Sequence, residues 1–250
     1  MIELAAVELI ALAIAALLIG ISKTALPGAG TLSVAIFASV LPARESTAAI
    51  LLLLLTGDVL AVWTYRREVD FAALRRLVPT VLAGMVLGAV FLYFANDEVM
   101  RRVIGGMLLV LTLFTLWLMR RGVLSDHTTL TNPKVRGVYG TLGGFTTMAA
   151  NSGGAVMTLY FLAARFDMVR LVATQAWFFF IVNLMKLPFS IGIGLLKIEV
   201  LPILAGLAPV VLIGGFIGRR WIMKMDQTWF NRIIIALTVL SCLYLLLPRA

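Results

Sequence analysis

Two lysines and one aspartate stand where their surroundings offer no water. Lys23 lies between Ser22 and Thr24 in a polar, glycine-rich break, GISKTALPGAG (Gly20–Gly30), that separates two apolar runs, while Asp58 and Lys186 lie inside longer apolar runs. An ionised side chain at membrane depth is costly unless it is paired or hydrated. Lys23 therefore reads as a group that helps hold an anion in a wet central cavity; the plainer reading is an ammonium at a helix end reaching the headgroups. Asp58 reads either as an ion-pair partner for the base in the second half of the chain or as the carrier of a coupling proton. Asn183 precedes Lys186 by less than one helical turn, so both project from one face of a helix that also carries Thr174 and Gln175.

The break has a second copy, GFTTMAANSGG (Gly144–Gly154), with Gly20 over Gly144 and Gly30 over Gly154. In each copy a short apolar segment starts on small residues: Gly28, Gly30 and Thr31 in the first, and Ser152, Gly153 and Gly154, preceded by Asn151, in the second. Free backbone N–H groups and the positive end of a helix dipole suit an anion, and glycine lets it approach the backbone. Paired interrupted helices of this kind mark substrate sites in membrane transporters. Farther on, Pro79 falls over Pro209, Gly84 over Gly214, Gly88 over Gly218 and Arg102 over Arg232 at one common spacing. The Gly84/Gly88 and Gly214/Gly218 pairs have the small-xxx-small spacing of close helix packing and are assigned to that.

Composition sets the class. Of the 250 residues 62% are hydrophobic and 13% charged, with mean hydropathy +1.05; a soluble domain carries about a quarter charged residues. The expected fold is an all-α integral membrane protein forming one domain. The net charge of +9 is gathered in short clusters between apolar runs, which the positive-inside bias explains without nucleic acid. Cys242 is the single cysteine and His127 the single histidine, so no metal site, cofactor or catalytic set is expected. Glu3 and Glu8, with no Lys or Arg before the first apolar run, argue against a cleavable signal peptide.

The elements that must position these groups follow from run length. Apolar runs cover 4–22, 29–41, 46–64, 73–94 and 103–119 in repeat one (1–121), and 137–150, 153–164, 169–191, 199–218 and 229–247 in repeat two (137–250), with a polar connector at 122–136. The short members cannot cross a core of about 30 Å as helices and are expected as re-entrant or broken segments. The total is roughly 8–10 membrane helices. An odd number of crossings per copy inverts the second copy and puts Arg66, Arg67, Arg75, Arg76, Arg120, Arg121, Lys134, Arg136, Arg165, Arg170, Arg219, Arg220 and Lys224 on one side. A count of four crossings nearly balances the two sides, so charge favours inverted repeats with the richer side cytoplasmic. Asp97, Glu98 and Asp226 stand at helix starts, where capping accounts for them.

At these residues the chain resembles the sulfite exporter TauE/SafE family of membrane transporters. The likeness is carried by GISKTALPGAGTLSV (Gly20–Val34), LPARESTAAILLLLLTGD (Leu41–Asp58), GFTTMAANSGGAVMTLYFLA (Gly144–Ala163) and VATQAWFFFIVNLMKLPF (Val172–Phe189). The resemblance implies transport of small sulfur-containing anions, such as sulfite and organosulfonates, across a cytoplasmic membrane.

The resulting expectation is a multi-pass secondary transporter of the inner (cytoplasmic) membrane, working by alternating access on a small anion near the midplane where the two breaks meet. Its expected substrate-binding residues are Ser22, Lys23, Thr24, Gly28, Gly30, Thr31, Asn151, Ser152, Gly153, Gly154, Asn183 and Lys186, with Asp58 as ion-pair or coupling residue. Expected partners are the anion, the lipid bilayer and coupling protons; homo-oligomerisation stays open. An anion channel and a non-transporting membrane assembly protein are the alternatives. An intramembrane enzyme would need a nucleophile and base or a metal set at depth, and there is no GxxxxGK[ST] segment for ATP.

Overall fold

The computed structural model describes residues 5–41, 43–94, 99, 102–103, 106, 109–110, 113, 132–192 and 198–246. Residues 122–131 of the connector, with His127, most of the expected run 103–119, the acidic pair Asp97 and Glu98, the arginines Arg120 and Arg121, and the side chain of Cys242 lie outside the described residues; the last part of the expected connector, 133–136, is instead the first turn of a helix. Among the described residues the chain is helical, with no strand: α1 Ala6–Thr24, α2 Gly30–Val40, α3 Ala43–Tyr65, α4 Phe71–Phe94, α5 Pro133–Ala150, α6 Gly153–Ala163, α7 Met168–Gly192, α8 Leu201–Ile222 and α9 Gln227–Leu246. Among the described residues four helical stretches are long and apolar enough to cross a bilayer: Ala6–Thr24, Phe71–Phe91, Met168–Gly192 and Leu201–Ile222. The protein is a multi-pass, all-helical membrane protein. The two 11-residue helices α2 and α6 rise only about 16 Å each and cannot span, as their run lengths predict.

Helix ends follow local chemistry. Asn132 caps α5 by accepting from the N–H groups of Lys134 (3.0 Å) and Val135 (3.4 Å), with Pro133 at the first helical position. Asp70 precedes α4 and accepts from Ala73 N–H at 2.9 Å, Asp167 precedes α7 and accepts from Arg170 N–H at 2.9 Å, and Asp226 precedes α9 and accepts from Trp229 N–H at 2.9 Å. The capping role expected of Asp226 is thus observed.

The chain folds into two compact units, and neither is one sequence copy. The first combines Met1–Val69 with Val172–Met225, and the second Asp70–Leu171 with Asp226–Ala250. In the first unit α1 lies along α8, and their core is built from Leu12, Ala16 and Ile19 with Ile50 and Leu53 of α3 and Leu207 of α8. In the second unit α4 lies along α5. Both pairs rest on glycine. A Cβ at Gly20 would strike the Val211 carbonyl and one at Gly214 the Leu17 carbonyl; in the second unit a Cβ at Gly144 would strike the Val81 carbonyl and one at Gly84 the Thr141 carbonyl. Without a hydrophobic driving force in lipid, van der Waals contact holds helices together, and such contact requires small residues at the crossing. The packing role expected of Gly84, Gly88, Gly214 and Gly218 is therefore observed. Gly20 and Gly144, which open the two breaks in the sequence, sit inside helices and serve the same packing.

Candidate anion site

The first break is held open by its own polar groups. Pro27 has no N–H to continue α1, and Ala25 leaves helical geometry (φ −143°, ψ −53°), so Ala25 and Leu26 both donate to Ile21 O, at 2.8 and 3.1 Å. One 3₁₀ turn, Pro27–Ala29, then leads into α2. The carbonyls orphaned there need partners, since lipid supplies none. Tyr65 OH donates to Thr24 O at 2.7 Å and Ser22 Oγ to Pro27 O at 3.2 Å, while Thr24 Oγ1 donates to Gly215 O of α8 at 2.8 Å. Ser22 and Thr24 spend their hydroxyl protons bracing the break. A Cβ at Gly30 would lie 2.9 Å from Ser22 Oγ, so this glycine lets the start of α2 close against the end of α1. The side chains at positions 28 and 31 lie outside the described residues.

Lys23, in the last turn of α1, does not turn outward. Its Nζ lies 2.6 Å from Asp58 Oδ1 and 4.9 Å from the centre of the Phe179 ring, with the lysine side chain 9% exposed and the aspartate fully buried. Asn183 Nδ2 donates to the other carboxylate oxygen, Asp58 Oδ2, at 2.7 Å. The carboxylate thus meets an ammonium on one oxygen and an amide N–H on the other. Gly57 makes room for the pair, because a Cβ there would lie 2.9 Å from Lys23 Cγ.

One stripe of α7 supplies the opposite wall. Gln175, Phe179, Asn183 and Lys186 recur at helical spacing; all four are buried, and Lys186 interacts electrostatically with both Lys23 and Asp58. Two lysines and one carboxylate of this unit thus interact electrostatically. Close by in the chain, Ser33 lies in the first turn of α2, fully buried, with no hydrogen-bond partner for its Oγ among the described residues.

The second break lies in the second unit and closes differently. Asn151 adopts the left-handed conformation (φ 52°), its N–H bonding Thr147 O at 3.1 Å and the Ser152 N–H reaching Thr146 O at 3.2 Å, a Schellman-type end. Helix α6 starts at Gly153 with no side-chain cap from Ser152. A Cβ at Gly153 would lie 2.7 Å from Thr147 Cβ and 2.8 Å from Gly143 O, so this glycine also answers to tight reversal against α5. The expected set is therefore divided: Ser22, Lys23, Thr24, Gly28, Gly30, Thr31, Asp58, Asn183 and Lys186 belong to the first unit, and Asn151, Ser152, Gly153 and Gly154 to the second, while Gly57 and Ser33 are not in it. Gly57 has the sequence signal of a glycine directly beside a buried acid. Ser33 has only its helical spacing from Gly30.

The family described as Sulfite exporter TauE/SafE matches residues 12–245, nearly the whole chain. The chain belongs to the TauE/SafE family. Membership makes it a membrane transporter of sulfur-containing anions, in agreement with its helical membrane architecture. No curated protein and no solved structure matches the chain. For a TauE/SafE protein, the buried cluster that holds Lys23 and Lys186 is the feature of the first unit that suits an anionic cargo.

Proposed function

We propose that the protein is a secondary transporter that moves sulfite or a small organosulfonate across the cytoplasmic membrane by alternating access between two inverted repeats. The observation that carries this reading is the buried Lys23–Asp58–Asn183 cluster with Lys186 beside it. Lysine side chains held far from water favour an anion as counterion. A sulfite or sulfonate group supplies three oxygens that accept hydrogen bonds in several directions, matching donors on Lys186 and Lys23. The start of α2, around Gly28 to Thr31, offers backbone N–H groups of the kind that bind oxyanions. Ser22 and Thr24 act as positioning residues that keep the end of α1 in place.

Export needs no nucleotide: an anion leaving a negative interior gains about 2.3 kcal/mol per charge per 100 mV. Asp58 is the buried carboxylate among the described residues and is the candidate carrier of a coupled proton. The test is flux of radiolabelled sulfite, sulfoacetate and taurine in proteoliposomes, with pH gradient and membrane potential set independently. Saturable flux of sulfite and sulfoacetate is expected, with taurine slower because its ammonium cancels the sulfonate charge. Lys23→Ala and Lys186→Ala should abolish it, and substrate on the far side should accelerate it. Flux without such trans-stimulation would make the protein an anion channel. No flux of any sulfur anion through folded protein would overturn the proposal.

A further inference from the structure

A second cationic feature of the first unit has no part in the transport reading. Where α3 ends, Trp63, Thr64, Tyr65, Arg66, Arg67 and Glu68 line a cavity of about 290 Å³ whose far wall is Arg219 of α8. Three guanidinium groups and one carboxylate surround it. Among the described residues none of the three arginines forms an ion pair with an acidic side chain, and all three are exposed. Guanidinium forks match the paired oxygens of a phosphate. The position is interfacial: the apolar stretch Ala49–Tyr65 of α3 runs directly into Arg66 and Arg67, and the apolar α8 carries Arg219 in its last turn. Trp63, 60% exposed at this end, has the amphipathic ring that settles at headgroup depth.

We propose that this cavity binds the phosphate headgroup of an anionic phospholipid, with Arg66, Arg67 and Arg219 on the phosphate oxygens and Trp63 against the glycerol and upper acyl region. Thr64 and Glu68 are placed to meet hydroxyls of a glycerol-bearing head. A bound phosphate would tie the end of α3 to α8 on either side of the α1 terminus, because Tyr65 in the cavity wall donates to Thr24 O and Thr24 Oγ1 in turn donates to Gly215 O of α8. The lipid thus braces the helix end that presents Lys23. This holds whichever anion is transported.

The experiment is native mass spectrometry of the purified full chain with phosphatidylglycerol or phosphatidylcholine, each with and without inorganic phosphate, on wild type, on Arg66→Gln/Arg67→Gln/Arg219→Gln, and on Arg220→Gln. Arg220 is exposed and lies outside the cavity, so it reports generic surface charge. Wild type should retain phosphatidylglycerol over phosphatidylcholine, each cavity arginine being worth about five-fold. The triple variant should lose the preference and Arg220→Gln should keep it. The proposal is overturned by equal retention of the two lipids on wild type, by an equal loss in Arg220→Gln, or by a preference that survives in the triple variant. Displacement of the lipid by inorganic phosphate at equal concentration would make the site one for a soluble oxyanion and would also overturn it. The wild-type comparison stands even if the triple variant fails to fold.

Discussion

The α1–α8 pair of the first unit and the α4–α5 pair of the second are built on the same glycine contacts and carry different chemistry. Gly20 against Val211 is repeated as Gly144 against Val81, and Gly214 against Leu17 as Gly84 against Thr141, at positions that correspond between the two sequence copies. Three residues past the packing glycine, however, α1 has Lys23 where α5 has Thr147. The lysine reaches a buried carboxylate; Thr147 is buried on its own helix, and its neighbour Thr146 donates back to Leu142 O at 2.7 Å. The same glycine packing stands before both helix breaks, and the residue three positions on differs in charge between them.

The largest effect should come from breaking the charged side of that comparison. Asp58→Asn or Lys23→Ala should lower sulfite flux by more than about 100-fold, equivalent to roughly 3 kcal/mol. Removing one partner of a buried pair should also destabilise the protein by about 3–5 kcal/mol, whereas replacing both with apolar residues should restore much of that stability. Thermal unfolding in detergent checks the second statement: a Lys23→Met/Asp58→Leu protein should melt above both single variants and still fail to transport.

Next come the matched glycines. Gly214→Ala and Gly84→Ala each force a Cβ into a facing carbonyl, and overpacking of this kind costs about 1–3 kcal/mol. The two substitutions should lower the melting temperature by similar amounts, and a several-fold difference would break the equivalence of the two pairs. Gly57→Ala sharpens the contrast from the other direction. It pushes on Lys23 Cγ and not on backbone, so it should reduce flux by about ten-fold, or roughly 1.4 kcal/mol, with less loss of stability than the packing glycines show.

The smallest effect belongs to a peripheral pair of the second unit. Burial works against the Asp70 carboxylate, but the N–H groups of Ala73 and Ala72 and the Arg170 guanidinium outweigh it and hold its carboxyl below the ordinary value. A carboxyl depressed in the folded state contributes stability above its unfolded pKa and loses it as the pH falls through the folded value. Arg170 is 40% exposed, so Arg170→Gln should cost less than about 1 kcal/mol at neutral pH. The melting curves of wild type and variant should converge in acid.

Much of this was legible in the sequence, because run length and glycine register report directly on helices in lipid. The expected runs 29–41 and 153–164 became α2 and α6 to within a residue or two, since Pro27 and the Asn151–Ser152 turn leave no choice of where a helix can resume. The division into compact units was not legible: spacing shows that Gly84 and Gly214 are equivalent, but not that each packs against the first helix of the other copy. The buried polar cluster of the first unit was legible as residue types and not as pairings. Asp58 was open between a base in the second half of the chain and a proton; its ion partner is Lys23 of its own half, and the second half supplies Asn183 through a hydrogen bond. Nothing in local sequence marks Tyr65 as the group that satisfies Thr24 O, because that contact depends on how α3 returns along α1.

The central claim, that the lysine-rich cluster of the first unit holds the transported anion, is tested most directly by equilibrium binding of radiolabelled sulfite to purified wild type and Lys186→Ala. Melting curves would establish that both are folded. The account predicts saturable binding to wild type, weakened at least about 100-fold, or roughly 3 kcal/mol, in the variant. Binding within two-fold of wild type in folded Lys186→Ala would contradict it and move the anion site elsewhere in the molecule.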